Sequence, residues 1–268
     1  MKHTARRRFG QHFLEPAWAD KVVTAIRPRP DERFLEIGPG PGILTSRLAR
    51  RVGSLTAVEI DRDLAAGIAA EHPDVHLIVG DFLEMDLSEL LAPGPLRVAG
   101  NLPYNISSPI LFKLLAVARQ SANLVDATVM LQREVAERLA ARVGTKDYGV
   151  LTVFAQAQAD VTRLLILPPG AFRPPPKVES AVVRLSFKPP AVPPELAVAF
   201  ERLVRTVFMQ RRKTLSNALR PVTDASGLDA RVVLAAAGID PIRRPETLTV
   251  ADLVALAGSL PKSLNPKA

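Results

Sequence analysis

Glu36-Ile37-Gly38-Pro39-Gly40-Pro41-Gly42 lies between two apolar stretches and marks a change from strand to helix. Arg33 to Ile37 reads as a short buried strand, and Ile43 to about Arg51 as a helix. A glycine-rich turn joining a strand to a helix is the first half of a βαβ unit. The same alternation continues outward. Leu55–Ile60, Val75–Val79, Leu96–Ala99 and Thr128–Leu131 are apolar strand-length runs. Helical patterns separate them: one opened by Asp61, an apolar one over Ile110–Val117, and a charged one containing Arg133, Glu134, Glu137 and Arg138. A further helix is expected from Pro16 to about Ile26, since proline is tolerated in a first turn. Strands alternating with helices predict an α/β fold with a mostly parallel sheet. Val161–Leu167 and Ala181–Phe187 follow as a strand pair close enough in sequence to form an antiparallel edge. Beyond the proline-rich Pro189–Pro194, read as a stiff linker, the pattern is helical: Phe200, Leu203, Val204, Val207 and Phe208 recur at helix spacing. The chain therefore divides into an α/β domain over 1–187 and a small all-α domain over 188–268.

Ligands of such sheets sit at the carboxyl ends of the strands. Gly38, Glu59, Asp81 and Asn101 all fall at or just after a strand end. The glycines allow a ligand to approach the backbone closely. Their spacing is not that of a dinucleotide loop, and Pro39 and Pro41 remove two N–H donors that a pyrophosphate would use. A nucleoside without phosphates fits better. Glu59 follows Gly38 by 21 residues, the place expected for a carboxylate accepting from ribose hydroxyls. Asp81 can accept from an adenine amino group. Either acid alone is commonly a helix cap or surface charge; the series is what argues for a site.

Asn101-Leu102-Pro103-Tyr104 follows the strand Leu96–Ala99. Two readings fit these four residues: a capped strand-to-helix turn, or a binding loop. In the second, the Asn101 side chain and the Leu102 carbonyl are two acceptors for one exocyclic amino group, with Pro103 fixing the backbone and Tyr104 offering a flat face. Phe172, in Gly170–Lys177, is either a core residue or the second face of a stacking pair with Tyr104. Arg173 and Lys177 flank it. Arg211-Arg212-Lys213 and Arg6-Arg7-Arg8 are further cation runs, readable as solvated surface or as phosphate contacts. His3, His12, His72 and His76 lack metal-ligand spacing, so no metal is expected.

Bulk composition narrows the class. The chain has 268 residues, 47% hydrophobic, with a formal charge of +8. Residues 1–14 carry four basic and no acidic side chains, and residues 188–268 carry twelve basic against seven acidic. The middle is near neutral. Positive ends around a neutral middle suit a polyanion partner. Cysteine is absent, which excludes disulfides and thiolate metal sites. No apolar run is long enough for a membrane span, and the basic N-terminus lacks the apolar segment of a secretory signal. A cytoplasmic monomer with no membrane association is the expectation.

Seven segments, in order, carry a resemblance: RRRFGQHFL, LEIGPGPGILT, VEID, NLPYNISSPI, MLQREVAERL, FRPPPKVESAVV and FMQRRKTLSNAL. Together they resemble the signatures of bacterial small-subunit (16S) rRNA adenine N6,N6-dimethyltransferases over about residues 6–255. The NLPY segment is shared with other adenine N6 methyltransferases; the Phe172 loop and QRRKT are more specific. The resemblance implies a Rossmann-like methyltransferase domain using S-adenosyl-L-methionine, a helical rRNA-binding domain, and transfer of two methyls to each of two adjacent adenosines near the 3′ end of the small-subunit rRNA, in a small ribosomal subunit precursor. It implies cofactor contacts at His12, Leu14, Gly38, Glu59, Asp81 and Asn101, and a catalytic set of Asn101, Leu102, Pro103, Tyr104 and Phe172. It also implies RNA contacts at Arg6, Arg7, Arg8, Arg173, Lys177, Arg211, Arg212 and Lys213. Position 12 departs from the family, where asparagine is usual.

Three rival classes are separable. A large-subunit rRNA adenine methyltransferase conferring antibiotic resistance shares the NLPY loop, but QRRKT and the last helices favour the small subunit. A non-catalytic assembly factor would not need an intact glycine loop, Glu59 and NLPY. A nicotinamide-dependent oxidoreductase is disfavoured by the prolines of the glycine loop and by the lack of a Tyr-x-x-x-Lys pair.

Overall fold

The structure is a computed structural model that describes residues 12–224 and 227–261. The strands are β1 (Phe13–Leu14), β2 (Arg33–Ile37), β3 (Ser54–Glu59), β4 (His76–Val79), β5 (Leu96–Asn101), β6 (Leu124–Gln132), β7 (Ala159–Leu167), β8 (Phe172–Arg173) and β9 (Ser180–Phe187). Seven of them form one sheet in the order β4-β3-β2-β5-β6-β9-β7. The first five run parallel. β9 is antiparallel to both β6 and β7. β1 and β8 make a separate antiparallel pair, with Phe13 opposite Arg173 and Leu14 opposite Phe172.

The chain divides into two compact units. The first comprises residues 12–136 and 159–188. Its central strand β5 is buried on both faces, with Val98 and Ala99 fully enclosed, as a parallel strand covered by helices must be. Gly100 is required there: a Cβ would meet the Ile37 carbonyl oxygen at 2.5 Å. Neighbouring strands approach at β2 in a fixed register that sets Glu36 opposite both Ala57 and Ala99. Helices Pro16–Ile26, Arg62–Glu71 and Ser107–Gln120 bury apolar stripes against the sheet's layers. Asp61 caps the second of these, accepting from the Asp63 N–H at 3.0 Å. The first unit's apolar cluster gathers Val22, Ile26, Phe34, Leu48 and Leu55 among others.

The second unit comprises residues 137–158, 189–224 and 227–261. The expected division at 187/188 is thus close to one crossing of the chain, at Lys188/Pro189, but two earlier crossings are added. Residues 137–158 join the helical unit because Tyr148, Val153 and Ala157 are buried in its apolar cluster beside Phe200, Leu203 and Val207. Helix Val150–Gln156 in this segment was not expected from the sequence. The segment read as a linker is packed: Val192 is buried, and the Ala191 N–H donates to the Ala157 carbonyl at 2.7 Å. Helix Ala197–Phe208 supplies the central stripe, and Leu215–Ala218 is a separate short helix. Helices Ala230–Ala236 and Val250–Gly258 complete it, the latter opened by a Thr249–Asp252 capping box. Among the described residues no helix is long and apolar enough to cross a membrane.

Candidate active site

The carboxyl ends of β2, β3, β4 and β5 open into a cleft of about 980 Å³, its solvent-open mouth included. It brings together His12, Leu14, Gly38, Glu59, Asp81, Asn101, Leu102, Pro103 and Tyr104, which are distant in sequence. The glycine loop bends sharply: Gly38 and Gly40 have φ of 64° and 58°, a region that favours glycine. A Cβ on Gly40 would also press on the Phe13 ring at 3.2 Å.

Glu59 ties this loop down. Its Oε2 accepts from the Gly40 N–H at 3.0 Å, and its Oε1 accepts from the Asp61 N–H at 2.9 Å. Burial raises its pKa, and these N–H donors oppose the rise. Each oxygen retains acceptor capacity beyond one bond. Asp81 begins the turn after β4, its Oδ1 accepting from the Leu83 N–H at 2.8 Å. That turn is held from the helix Ser107–Gln120 by Lys113, whose Nζ donates to the carbonyls of Phe82 (2.7 Å), Leu83 (2.9 Å) and Met85. The three donors of one ammonium are thereby used.

At the end of β5, the Asn101 Nδ2 donates to the His12 backbone carbonyl at 2.7 Å. The amide's only acceptor atom, Oδ1, is therefore the end presented elsewhere. The Leu102 N–H donates to the Met130 carbonyl on β6 at 3.2 Å, anchoring the next peptide. The Tyr104 hydroxyl and Ser180 Oγ are 2.6 Å apart, and burial raises the Tyr104 pKa. The His12 ring stacks on Tyr104 with centroids 5.2 Å apart and planes at 26°. Its Nδ1 donates to the Pro174 carbonyl at 2.7 Å.

A family model described as ribosomal RNA adenine dimethylase matches residues 2–256. The chain belongs to that family. A ribosomal RNA small subunit methyltransferase A from Acinetobacter baylyi is 46% identical over 264 residues, covering 96% of this chain and 93% of the relative. Among solved structures, a dimethyladenosine transferase from Plasmodium falciparum is similar with a TM-score of 0.74 and 26% identity, covering 91% of this chain and 96% of the other. The 23S rRNA methyltransferase ErmE is similar with a TM-score of 0.67 and 27% identity, covering 92% and 99%. The Rossmann-like methyltransferase fold expected from the sequence is the one present.

Of the expected catalytic set in this dimethylase-family chain, Phe172 is the one that is not among the residues lining the cleft, although its ladder partner Leu14 is. Phe172 is 1% exposed and belongs to the apolar cluster with Leu14 and Ala19. The β1–β8 ladder turns its ring inward and Arg173 outward. The ring that faces Tyr104 is that of His12. Arg173 pairs with Glu15, and Lys177 is exposed on the same unit. On the second unit Arg212 and Lys213 are exposed, while Arg211 reaches the Thr145 carbonyl at 3.5 Å. Arg6, Arg7 and Arg8 lie outside the described residues.

Glu36 and Lys113 were not singled out from the sequence. Glu36 lines the cleft and is 1% exposed. Burial pushes its carboxyl up to about 8, and the like charge of Glu59 adds to the rise. The nearby Thr45 hydroxyl opposes it, although neither Glu36 Oε2 nor Thr45 Oγ1 makes a well-formed hydrogen bond. The available signals were an acid inside an apolar strand and one cation inside an apolar helix.

Proposed function

We propose that this chain dimethylates N6 of two adjacent adenosines near the 3′ end of small-subunit rRNA, using S-adenosyl-L-methionine, on a small ribosomal subunit precursor. The observation that carries this reading is the fixed Asn101 amide: its Nδ2 is committed to the His12 carbonyl, so Oδ1 faces an incoming amino group as an acceptor. The residues present suit the cofactor. Glu36, Glu59 and Asp81 give the cleft an acidic lining for a cationic ligand, and the Gly38–Gly40 turn lets a nucleoside approach the backbone.

Bound S-adenosyl-L-methionine supplies an activated methyl on a sulfonium. Glu59 would hold the ribose hydroxyls as an acceptor and Asp81 the adenine amino group. The target adenosine leaves its stack to reach the cleft. Asn101 Oδ1 and the Leu102 carbonyl accept the two N6 hydrogens and orient the nitrogen lone pair. Tyr104, fixed by Ser180, supports one face of the base. Alignment of nitrogen and methyl supplies much of the rate. Asn101 Oδ1 would hold the N6 proton that must leave, and water would take it up. No strong base is required before attack. Arg173, Lys177, Arg211, Arg212 and Lys213 contact phosphates and make binding salt-dependent.

The test is transfer from labelled S-adenosyl-L-methionine to small subunits lacking the modification, with large subunits in parallel. Products are mapped by nuclease digestion and mass spectrometry. Dimethyladenosine at two adjacent small-subunit positions is expected. Label on large-subunit rRNA alone, or on neither, overturns the proposal.

A further inference from the structure

Tyr104 lines the cleft, yet the His12 imidazole already lies on its ring, with centroids 5.2 Å apart and planes at 26°. A base held between two rings needs roughly 3.5 Å of contact distance on each face, hence about 7 Å between the ring centroids. The spacing present is too narrow for an adenine. The place is also the one the reaction needs. Asn101 Nδ2 is bonded to the carbonyl of His12 itself at 2.7 Å, so a base aligned by Asn101 Oδ1 lies within one residue's reach of the imidazole. The Tyr104 ring is held against retreat, because its hydroxyl and Ser180 Oγ are 2.6 Å apart and Ser180 is fully buried on β9.

The imidazole is the part that can move. The His12 backbone is pinned by Asn101, and Phe13 and Leu14 are fixed by their ladder with β8. The ring is held by its stack on Tyr104 and by the Nδ1–H bond to the Pro174 carbonyl at 2.7 Å. Rotation to another staggered rotamer releases both and leaves the backbone in place. Residues 173–175 are exposed, so phosphates drawn to Arg173 arrive beside the ring's tether. On the function proposed above, we infer that the His12 imidazole is a stand-in for the target adenine: it covers Tyr104 before the base arrives and swings off when the extruded adenosine stacks there. The consequence is selectivity. Every base binds more weakly by the factor that favours the covered state over the open one. One aromatic stack sets that factor at about two- to tenfold. An adenine aligned by Asn101 and Leu102 overcomes it, and a base that Tyr104 alone would hold does not.

The test is methyl transfer by the full chain to small subunits lacking the modification, with subunit concentration varied and S-adenosyl-L-methionine saturating for each variant. His12→Ala removes the ring and keeps the backbone carbonyl that holds Asn101. Its kcat/KM for subunits should rise about two- to tenfold above wild type, through a lower KM. His12→Asn also lacks the ring, keeps an N–H donor for the Pro174 carbonyl, and should rise likewise. His12→Phe keeps a ring on Tyr104 and should stay at or below wild type. A purely structural role for His12 predicts a fall in all three. An unchanged or lowered kcat/KM in both ringless variants makes the imidazole a lasting wall of the pocket; it overturns the inference and leaves the proposed function standing. A rise in His12→Phe equal to that in His12→Ala assigns the effect to the Pro174 bond and overturns it too. Absence of transfer by wild type overturns both.

Discussion

Asn101 Nδ2 donates to the backbone carbonyl of His12 at 2.7 Å, across 89 residues of chain. A backbone atom holds the amide, so the identity of the side chain at position 12 is secondary to that contact. His12→Asn should therefore leave the affinity for S-adenosyl-L-methionine within about threefold of wild type, as measured by calorimetry. A larger loss would assign the cofactor contact to the imidazole.

Phe172 is a core residue in this structure. Its truncation to alanine should cost about 3–5 kcal/mol of stability, read as a lower midpoint in urea. Tyr104→Ala, at a half-buried position of the cleft, should instead depress turnover with a smaller stability loss. If Phe172→Ala is as stable as wild type, the ring is not packed as described.

Lys113 orders the turn that carries Asp81 by serving three carbonyls. Lys113→Met keeps the helix propensity and the apolar stem but removes all three bonds. Its Michaelis constant for the cofactor should rise about tenfold, the equivalent of one or two net hydrogen bonds. The rate at saturating cofactor should change little. A fall in the saturated rate at unchanged Michaelis constant would contradict this role.

The Glu36 carboxyl is raised from 4.5 to about 8 in the folded chain. The folded state therefore holds this proton more tightly than the unfolded state. Its contribution to stability is complete below about pH 4.5 and is lost as pH rises to about 8, at up to about 1.4 kcal/mol per pH unit. Glu36→Gln stays neutral throughout. The variant should match wild type in melting temperature near pH 4.5 and exceed it by several degrees at pH 8.5 in the absence of cofactor. A constant difference across that range would show that Glu36 does not titrate on this scale.

The parallel sheet was legible because strands buried on both faces read as continuous apolar runs; Arg33–Ile37 coincides with β2. The start of β6 was not, since Asp126 interrupts the run. Its partner Arg97, at 2.9 Å, belongs to another strand and appears only once the chain is folded. The ends of β2, β3, β4 and β5 located the cleft, because residue type and strand position together are local facts. Whether Phe172 faces Tyr104 or the core is not local: it depends on the two-residue ladder with β1. The same holds for residues 137–158, whose apolar positions find their partners beyond residue 189. Glu36 carried only the weak signal of one acid among apolar neighbours, and its burial with no hydrogen-bond partner for Oε2 among the described residues is a property of the folded site.

In the proposed mechanism Asn101 is the acceptor that aligns N6. The most direct measurement is single-turnover methyl transfer to small subunits at saturating cofactor, with Asn101→Ala beside wild type and binding of both ligands checked separately. The variant should retain RNA binding and lose about 10²–10³ in transfer rate, the usual cost of one charge-orienting hydrogen bond in an enclosed site. Dimethyladenosine formed by Asn101→Ala at the wild-type rate would contradict the account.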